Sequence, residues 1–513
     1  MIVIFAVSSF KFISMKNFVS NEIGTLRKIL IHSPDSGIGK ILPSKLKDWL
    51  YDDTVHLQKI REEYDEYVRL LLHFLDPEKA KYVCEFHRKY GIENRKVYMP
   101  EKVEYFNSDS VIDVQKLLSD ILQNEEAKIR LVSAVCTLEN CSRLLQNRLE
   151  NMPPIDLAKV FITGIVDEKS DLKFIFPPIP NLVFTRDIGI MVKDHFLLSK
   201  SATPARKRES LIARYVAIFH ESLFNESRDK IIEINEDSDF FLEDMSVQRE
   251  KIITIEGGDI MMISPRHLIV GCSERTSKSA ADAIIHRIFS LPDLEIERIS
   301  IVQIPEVRAQ MHIDTIFTQV RRDTWVMYGG YSEKVARKKE GIKRDYTSFL
   351  KKSGNKYRDD QMRILQFQKP ASEPYKASQN YFFKELDDLE DLLVQVSFED
   401  FDVAESDVKI IYSANNEFPY SEREQWTDSC NLLALKEGVV IGYDRNDKTI
   451  AHFEQTGFEV ITAKKLLDEL ENGSRSVADI SDTLILLSSS ELSRARGGSH
   501  CMSCPLNRDI IHI

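Results

Sequence analysis

Long uncharged stretches are what this 513-residue chain lacks most. Past its first residues, no segment reaches the uncharged apolar length that a membrane-spanning helix requires. A basic leader is missing too. Met1 to Val7 is apolar, but nothing positive precedes it and Lys11 interrupts it, so the first 14 residues read as a dispensable extension ahead of Met15. Cysteine is sparse. Cys84, Cys136, Cys141, Cys272, Cys430, Cys501 and Cys504 are odd in number and scattered, which excludes a disulfide framework and predicts a reducing, cytoplasmic setting. One Cys-x-x-Cys occurs, at Cys501 to Cys504, so a four-thiolate zinc site has no second half. Positive charge is in deficit, 69 Lys+Arg against 81 Asp+Glu for a formal net charge of −12. That balance argues against nucleic acid or an anionic membrane as the main partner; a small cationic ligand suits it better.

What is present reads as a globular α/β protein. Glu22 to Ser33 predicts a strand centred on Leu26 to Ile31, closed by the turn residues Pro34-Asp35-Ser36-Gly37. From His56 to Leu75, apolar residues at 57, 60, 64, 67, 68, 71, 72 and 75 make one stripe on an amphipathic helix. Helical periodicity continues, as at Val111, Val114, Leu117, Leu118 and Ile121, so 76–158 reads as a helical insert.

Short β-rich runs follow: Phe174-Ile175-Phe176, Leu182-Val183-Phe184, Ile252 to Ile255, His267 to Val270, Trp325 to Tyr328 and Gly438 to Ile441. Helical stretches such as Lys278 to Ser290 and Lys464 to Leu470 separate some of them. Repeated strand–strand–helix–strand units predict an architecture whose loops gather at one end. Glu333 to Lys356, rich in lysine and arginine, reads as a solvated, exposed insert. No short fixed-period repeat is visible.

Four motifs carry chemistry. Pro180 to Asp187 predicts a strand ending in a carboxylate, although Arg186-Asp187 in isolation reads more readily as a surface turn. Ile255-Glu256-Gly257-Gly258-Asp259 runs from strand-like residues into carboxylates around two glycines free to adopt unusual dihedrals; a tight hairpin explains the glycines but not both acids. In Gln310 to Thr315, strand alternation would put His312 and Asp314 on one face, with Met311 and Ile313 turned to a core. Near the end, Arg496-Gly497-Gly498-Ser499-His500-Cys501 places a thiol after a glycine pair, where the backbone can turn sharply, with a cation nearby.

Together these describe a nucleophile and its partners. Cys501 requires thiolate character, which His312 or a cation could supply, and Glu256 could orient His312 as a triad's third member. Asp187 and Asp314 are then spare, and paired carboxylates suit a planar guanidinium. Arg206, Arg275 and Arg496 could hold a carboxylate at a ligand's far end. Arginine has both ends.

These motifs resemble the arginine deiminases, of the guanidine-modifying superfamily of α/β propellers. The likeness runs in order through Asn21 to Leu26, Tyr51-Asp52-Asp53, Pro180 to Asp187, Glu256 to Asp259 and Glu274 to Ser277. It continues through His312 to Phe317, Arg423 to Trp426, Gly442 to Asn446 and Arg496 to Pro505. The resemblance implies a pseudo-symmetric propeller of ββαβ units with a helical insert. The expected organisation is an N-terminal extension at 1–20, a first unit at 21–75, the insert at 76–158 and the remainder at 159–513, with a further insert around 333–400. It also implies roles: Cys501 as nucleophile, His312 as general acid/base, Glu256 as its partner, and Asp187 and Asp314 as the guanidinium grip. Asn181, Arg206, Arg275 and Arg496 would take the amino-acid end, with Phe184 on the substrate stem.

The implied activity is hydrolysis of L-arginine to citrulline and ammonia through a covalent thiouronium, with no metal or organic cofactor. Assembly into a homo-oligomer is left open. Two departures from the family pattern stand out: a longer stretch between Asp314 and Cys501, and Ala495 where glycine is common. The alternatives are an amidinotransferase that passes the same intermediate to an amine, a non-catalytic arginine-binding protein, or a zinc or redox role for Cys501 and Cys504.

Overall fold

A computed structural model describes residues 16–166, 173–224, 227–235, 252–332, 362–369, 374–377, 379–386 and 388–512. The expected extension at 1–14 and the basic segment 333–356 lie outside the described residues. No helix among the described residues is long and apolar enough to cross a membrane.

The first strand, β1 (Leu26–Ile31), is buried at every position but Arg27 and leads towards the helix Leu57–Leu75. That helix begins where the His56 side chain accepts from the Lys59 amide, and it turns the expected apolar stripe inward through Ile60, Tyr64, Val68 and Leu71. It stops at Asp76 because Pro77 follows; the same aspartate caps the next helix, Pro77–Tyr90, whose first position tolerates proline. Helices Val114–Ile121, Glu125–Leu138, Arg143–Glu150 and Pro154–Thr163 make the region mostly helical, as the periodicity indicated. Val111 departs from that reading: Val111–Asp113 is β2, parallel to β1, and Asp113 caps the helix that follows.

One strand pattern recurs five times. The two-residue strands β3 (Ile165–Val166) and β4 (Lys173–Phe174) pair separately. Strands β5 (Gly189–Val192) and β6 (His195–Leu198) form a hairpin, and β7 (Ile231–Ile232) lies parallel to β6. Strands β8 (Ile260–Ser264), β9 (His267–Cys272) and β10 (Arg298–Gln303) repeat the arrangement. So do β11 (Phe317–Arg321) and β12 (Thr324–Met327) with a parallel partner, β15 (Lys409–Tyr412). Before that partner, β13 (Arg363–Gln368) and β14 (Phe382–Leu386) widen the β8–β9–β10 sheet from the β10 side. The fourth sheet joins β16 (Leu433–Lys436), β17 (Val439–Tyr443) and β19 (Thr483–Leu487), with β18 (Glu459–Thr462) outside β19. In the fifth, β20 (Cys504–Arg508) runs antiparallel to β1, so the chain's end completes the sheet its beginning opened. Helices Lys207–Phe219, Lys278–Ser290, Leu389–Phe401 and Asp447–Thr456 form the crossovers to the parallel strands. The architecture is mixed α/β.

Three expected strands are not strands. Leu182-Val183-Phe184 lies in a pair of 3₁₀ turns, Pro180–Val183 and Thr185–Ile188, closed by Phe184 N–H to Asn181 O (2.9 Å) and Asp187 N–H to Phe184 O (3.2 Å). A three-residue apolar run cannot distinguish a strand from a buried turn, and proline at the first position favours the turn. Ile252 to Ile255 makes only one bridge, Ile255 to Lys200. Gln310 to Thr315 is extended at His312 (φ −140°) and then turns at Ile313–Thr315. His312 and Asp314 therefore reach the site from a turn instead of alternate strand positions, and Met311 lines the site cavity instead of a core, while Ile313 is buried as expected.

Candidate active site

In each of the five recurring units, the first strand of the antiparallel pair, β5, β8, β11, β16 or β20, is entered through a turn that carries a polar residue. Asp187 precedes β5, Glu256 to Asp259 precede β8, His312 and Asp314 precede β11, Asn431 precedes β16 and Cys501 precedes β20. Residues hundreds of positions apart thereby meet. Cys501, His312, Glu256, Asp187, Asn181, Phe184, Arg206, Arg275 and Arg496 line one small, partly enclosed cavity of about 20 Å³, together with Leu50, Arg308 and Met311. Asp314 completes the set by accepting from the Cys501 thiol, Sγ to Oδ2 at 3.6 Å.

His312 is held from two sides. Its Nε2 lies 3.0 Å from Glu256 Oε2 and its Nδ1 3.8 Å from Asp187 Oδ1. A Cβ on Gly258 would sit 2.6 Å from the imidazole Nδ1, so this glycine is required by close approach. Burial opposes charge on the ring, but Asp187, the bond to Glu256 and Asp259 overcome it and raise His312 to about 9. Against the same burial, His312 and Arg206 hold Glu256 below the ordinary carboxylate range. The pair is an imidazolium and a carboxylate.

Cys501 stands opposite in character. Burial, then the charges of Asp314, Asp187 and Asp428, push its thiol well above its ordinary value. Its amide N–H donates to Asn431 Oδ1 at 3.0 Å, and its carbonyl accepts from the Arg186 amide at 3.1 Å. The glycine pair works differently from the sequence expectation. The left-handed residue is Arg496 (φ +64°), and Gly497 is needed because a Cβ there would lie 2.3 Å from the Phe184 ring.

The arginines differ among themselves. Arg206 donates to Asp187 through NH1 and to Glu209 through Nε (2.7 Å), and its NH1 lies 3.6 Å from Glu256, so in this geometry it is tied to the His312 end. Arg275 NH1 is 3.8 Å from Glu256. Arg496 lies over Trp426, 3.5 Å from guanidinium carbon to ring centroid, and donates to the Trp426 carbonyl at 2.8 Å. Asn181 donates to the Trp49 carbonyl at 2.9 Å. Five buried side-chain atoms here make no hydrogen bond: Asp187 Oδ1, Asp314 Oδ1, His312 Nδ1, Arg275 Nε and Arg496 Nε.

Asp187, Glu256 and His312 have donor atoms within 4.8 Å of one another, a spacing that could hold a metal ion. The Arg206 guanidinium is already bonded to one of these carboxylates and adjoins another, so the set reads as an ion-pair network. Cys504 packs in a different hydrophobic cluster from Cys501 and donates to Gly189 O at 3.2 Å, as a buried core thiol. Sequence reasoning assigned no role to Asn431, His500, Glu22, Arg186 or Trp426. His500 adjoins Cys501, and Glu22, Arg186 and Trp426 fall inside the motifs already singled out. Only the fivefold strand pattern would have drawn attention to Asn431.

The site gathers a buried thiol, an imidazolium–carboxylate pair and two further carboxylates, a set whose chemistry suits a small cation. A family model described as arginine deiminase matches residues 47–508, and the chain belongs to that family. It is 26% identical over 510 residues to an arginine deiminase of Clostridium perfringens, covering 96% of this chain and 98% of that protein. To an arginine deiminase of Staphylococcus aureus it is 27% identical over 500 residues, again covering 96% and 98%. Among solved structures, an amidinotransferase of Microseira wollei aligns at TM-score 0.42 and 11% identity over 96% of this chain and 98% of that one. DDAH of Pseudomonas aeruginosa, complexed with citrulline, aligns at TM-score 0.39 and 12% identity over 94% and 99%.

Proposed function

We propose that this site deiminates L-arginine through a covalent intermediate on Cys501. The chain is a hydrolase of the guanidinium C–N bond that converts arginine to citrulline and ammonia. The observation that carries the mechanism is a set of buried atoms in and beside the cavity that make no hydrogen bond: Asp187 Oδ1 and Asp314 Oδ1 among the acceptors, and Arg275 Nε and Arg496 Nε among the donors, the last two with only the carboxylates of Glu274 and Asp52 at 3.6 and 3.7 Å. An unpaired buried polar atom costs roughly 1–3 kcal/mol. A guanidinium supplies donors to the two carboxylates, and an α-carboxylate supplies an acceptor to the arginines.

The carboxylates that hold the Cys501 thiol protonated are the ones that receive the cation. Binding the guanidinium offsets their charge, the thiol gives up its proton to solvent as the cation enters, and the thiolate sulfur attacks the guanidinium carbon. His312, which carries its proton below about pH 9, delivers it to the departing ammonia and leaves an S-alkylthiouronium. Neutral His312 then takes a proton from water, whose oxygen attacks the same carbon; the C–S bond breaks, the remaining hydroxyl proton passes to the departing sulfur, and citrulline leaves with the thiol and the imidazolium restored. Asp187 and Asp314 stabilise the cationic carbon throughout, in a site shielded from bulk water.

The repeated hairpin-plus-parallel-strand units, and the closure of the first sheet by β20, support an α/β propeller; its first unit takes its parallel strand, β2, from within 76–158 and so runs beyond the expected 21–75. The unpaired cysteines support a cytoplasmic setting.

Incubation with arginine alone, with assay of citrulline, ammonia and ornithine, tests the function. Equal citrulline and ammonia are expected. A requirement for an added amine acceptor would mean amidino transfer, and ornithine with urea a different hydrolysis.

A further inference from the structure

A chain of alternating charge runs away from the cavity behind Cys501. His500 Nδ1 lies 2.9 Å from Asp314 Oδ2, and its Nε2 lies 3.4 Å from Glu22 Oε2. Arg186 donates to Glu22 Oε1 at 2.7 Å and is fixed in turn by donating to the carbonyls of Ile260 (2.8 Å) and Gly257 (3.3 Å). None of the four is more than 6% exposed. Ionised carboxylates only accept, so a ring facing one at each nitrogen satisfies both when it carries both protons. Asp314 is thereby bound at Oδ2 and free at Oδ1.

We propose that His500 is a positioning residue: it anchors Asp314 by Oδ2 so that Oδ1 is presented to the substrate cation, with Glu22 and Arg186 holding the ring from behind. The inference rests on the reading of Asp314 as part of the guanidinium grip. Without the Nδ1 bond, Asp314 can rotate its free oxygen out of the cavity or turn both oxygens towards the thiol. The carboxyl group also loses part of what keeps it ionised. Burial raises Asp314, and the His500 bond and charge, followed by His312 and Arg186, outweigh it and leave Asp314 below its ordinary value. The titratable groups facing Asp314 are His500, His312, Arg186 and Cys501; those facing His500 are Asp314 and Glu22.

Side-chain geometry provides the test. Asparagine puts an amide nitrogen where Nδ1 stands, glutamine puts one nearer Nε2, and alanine provides neither. In the full chain, His500→Asn keeps the KM for arginine within about threefold of wild type, whereas His500→Gln and His500→Ala raise it about tenfold or more, the size expected for losing a charge-assisted bond. In the latter two, the acid limb of kcat/KM moves to higher pH. A folded His500→Ala protein with wild-type KM and acid limb overturns the proposal, as does equal impairment of the Asn and Gln variants, which would mean that ring bulk matters and the bond does not. If the alanine variant does not fold, the Asn–Gln comparison decides. Failure of the unaltered protein to make citrulline would overturn the reading of the site itself, whereas normal turnover with unshifted variants overturns this role alone.

Discussion

The amide of Cys501 and the carbonyl of Asp314 are tied through one side chain: Asn431 accepts from Cys501 N–H at 3.0 Å and donates to Asp314 O at 3.1 Å. This buried amide sets the turn that carries Cys501 against the turn that carries Asp314. Asn431→Ala would leave a buried N–H and a buried C=O unpaired, at about 1–3 kcal/mol for each. The expected result is a fall in kcat/KM of about ten- to a hundredfold in a folded protein, read by steady-state kinetics beside circular dichroism.

Gly258→Ala tests how His312 is cradled. The added Cβ would fall 2.6 Å from the imidazole Nδ1 and 3.0 Å from the histidine's own Cβ, while Glu256 holds the ring's far side. The ring must move. Turnover is expected to drop about a hundredfold or more for a stability loss of about 1–3 kcal/mol, measured by kinetics and by urea denaturation.

The pH dependence follows from His312. Its folded value, about 9, lies above the ordinary 6.5, so its contribution to stability is complete below about pH 6.5 and is lost as pH rises through about 9. Thermal stability of the substrate-free protein should therefore decline across that window. The alkaline limb of kcat reports the same proton, at or below about pH 9, because a bound cation disfavours the imidazolium. Glu256→Gln removes one of the groups that raise His312, and the limb should move to lower pH by about one unit. An unmoved limb would separate Glu256 from the acid.

Trp426 supports Arg496, which lines the cavity, by stacking. Trp426→Ala removes the ring but keeps the backbone carbonyl that Arg496 also uses. A partly buried cation–π contact contributes about 1–2 kcal/mol, so KM should rise about five- to thirtyfold while kcat changes less.

Much of this was legible in the residues. The stripe from Leu57 to Leu75 and the apolar run from Leu26 to Ile31 specify their elements because burial on one face leaves periodicity in the sequence. The side chains that meet around the cavity were singled out by their chemistry, since cysteine, histidine and paired acids following turn residues have few other uses in combination. Their local conformation was not: Pro180 to Asp187 and His312 to Thr315 are buried on all sides, and such runs carry no period that separates a turn from a strand. Asn431 was invisible because an amide in a turn is ordinary until the turn is seen to stand fourth among five equivalents. The glycines announced themselves, but for closeness to Phe184 and His312, which only packing reveals.

Replacing the sulfur gives the most direct test of the central claim. Cys501→Ser, shown by calorimetry to bind arginine, should form no citrulline, since a serine hydroxyl in the same carboxylate-lined cavity cannot become the attacking anion. Citrulline formation by that variant at the wild-type rate would contradict covalent catalysis at residue 501.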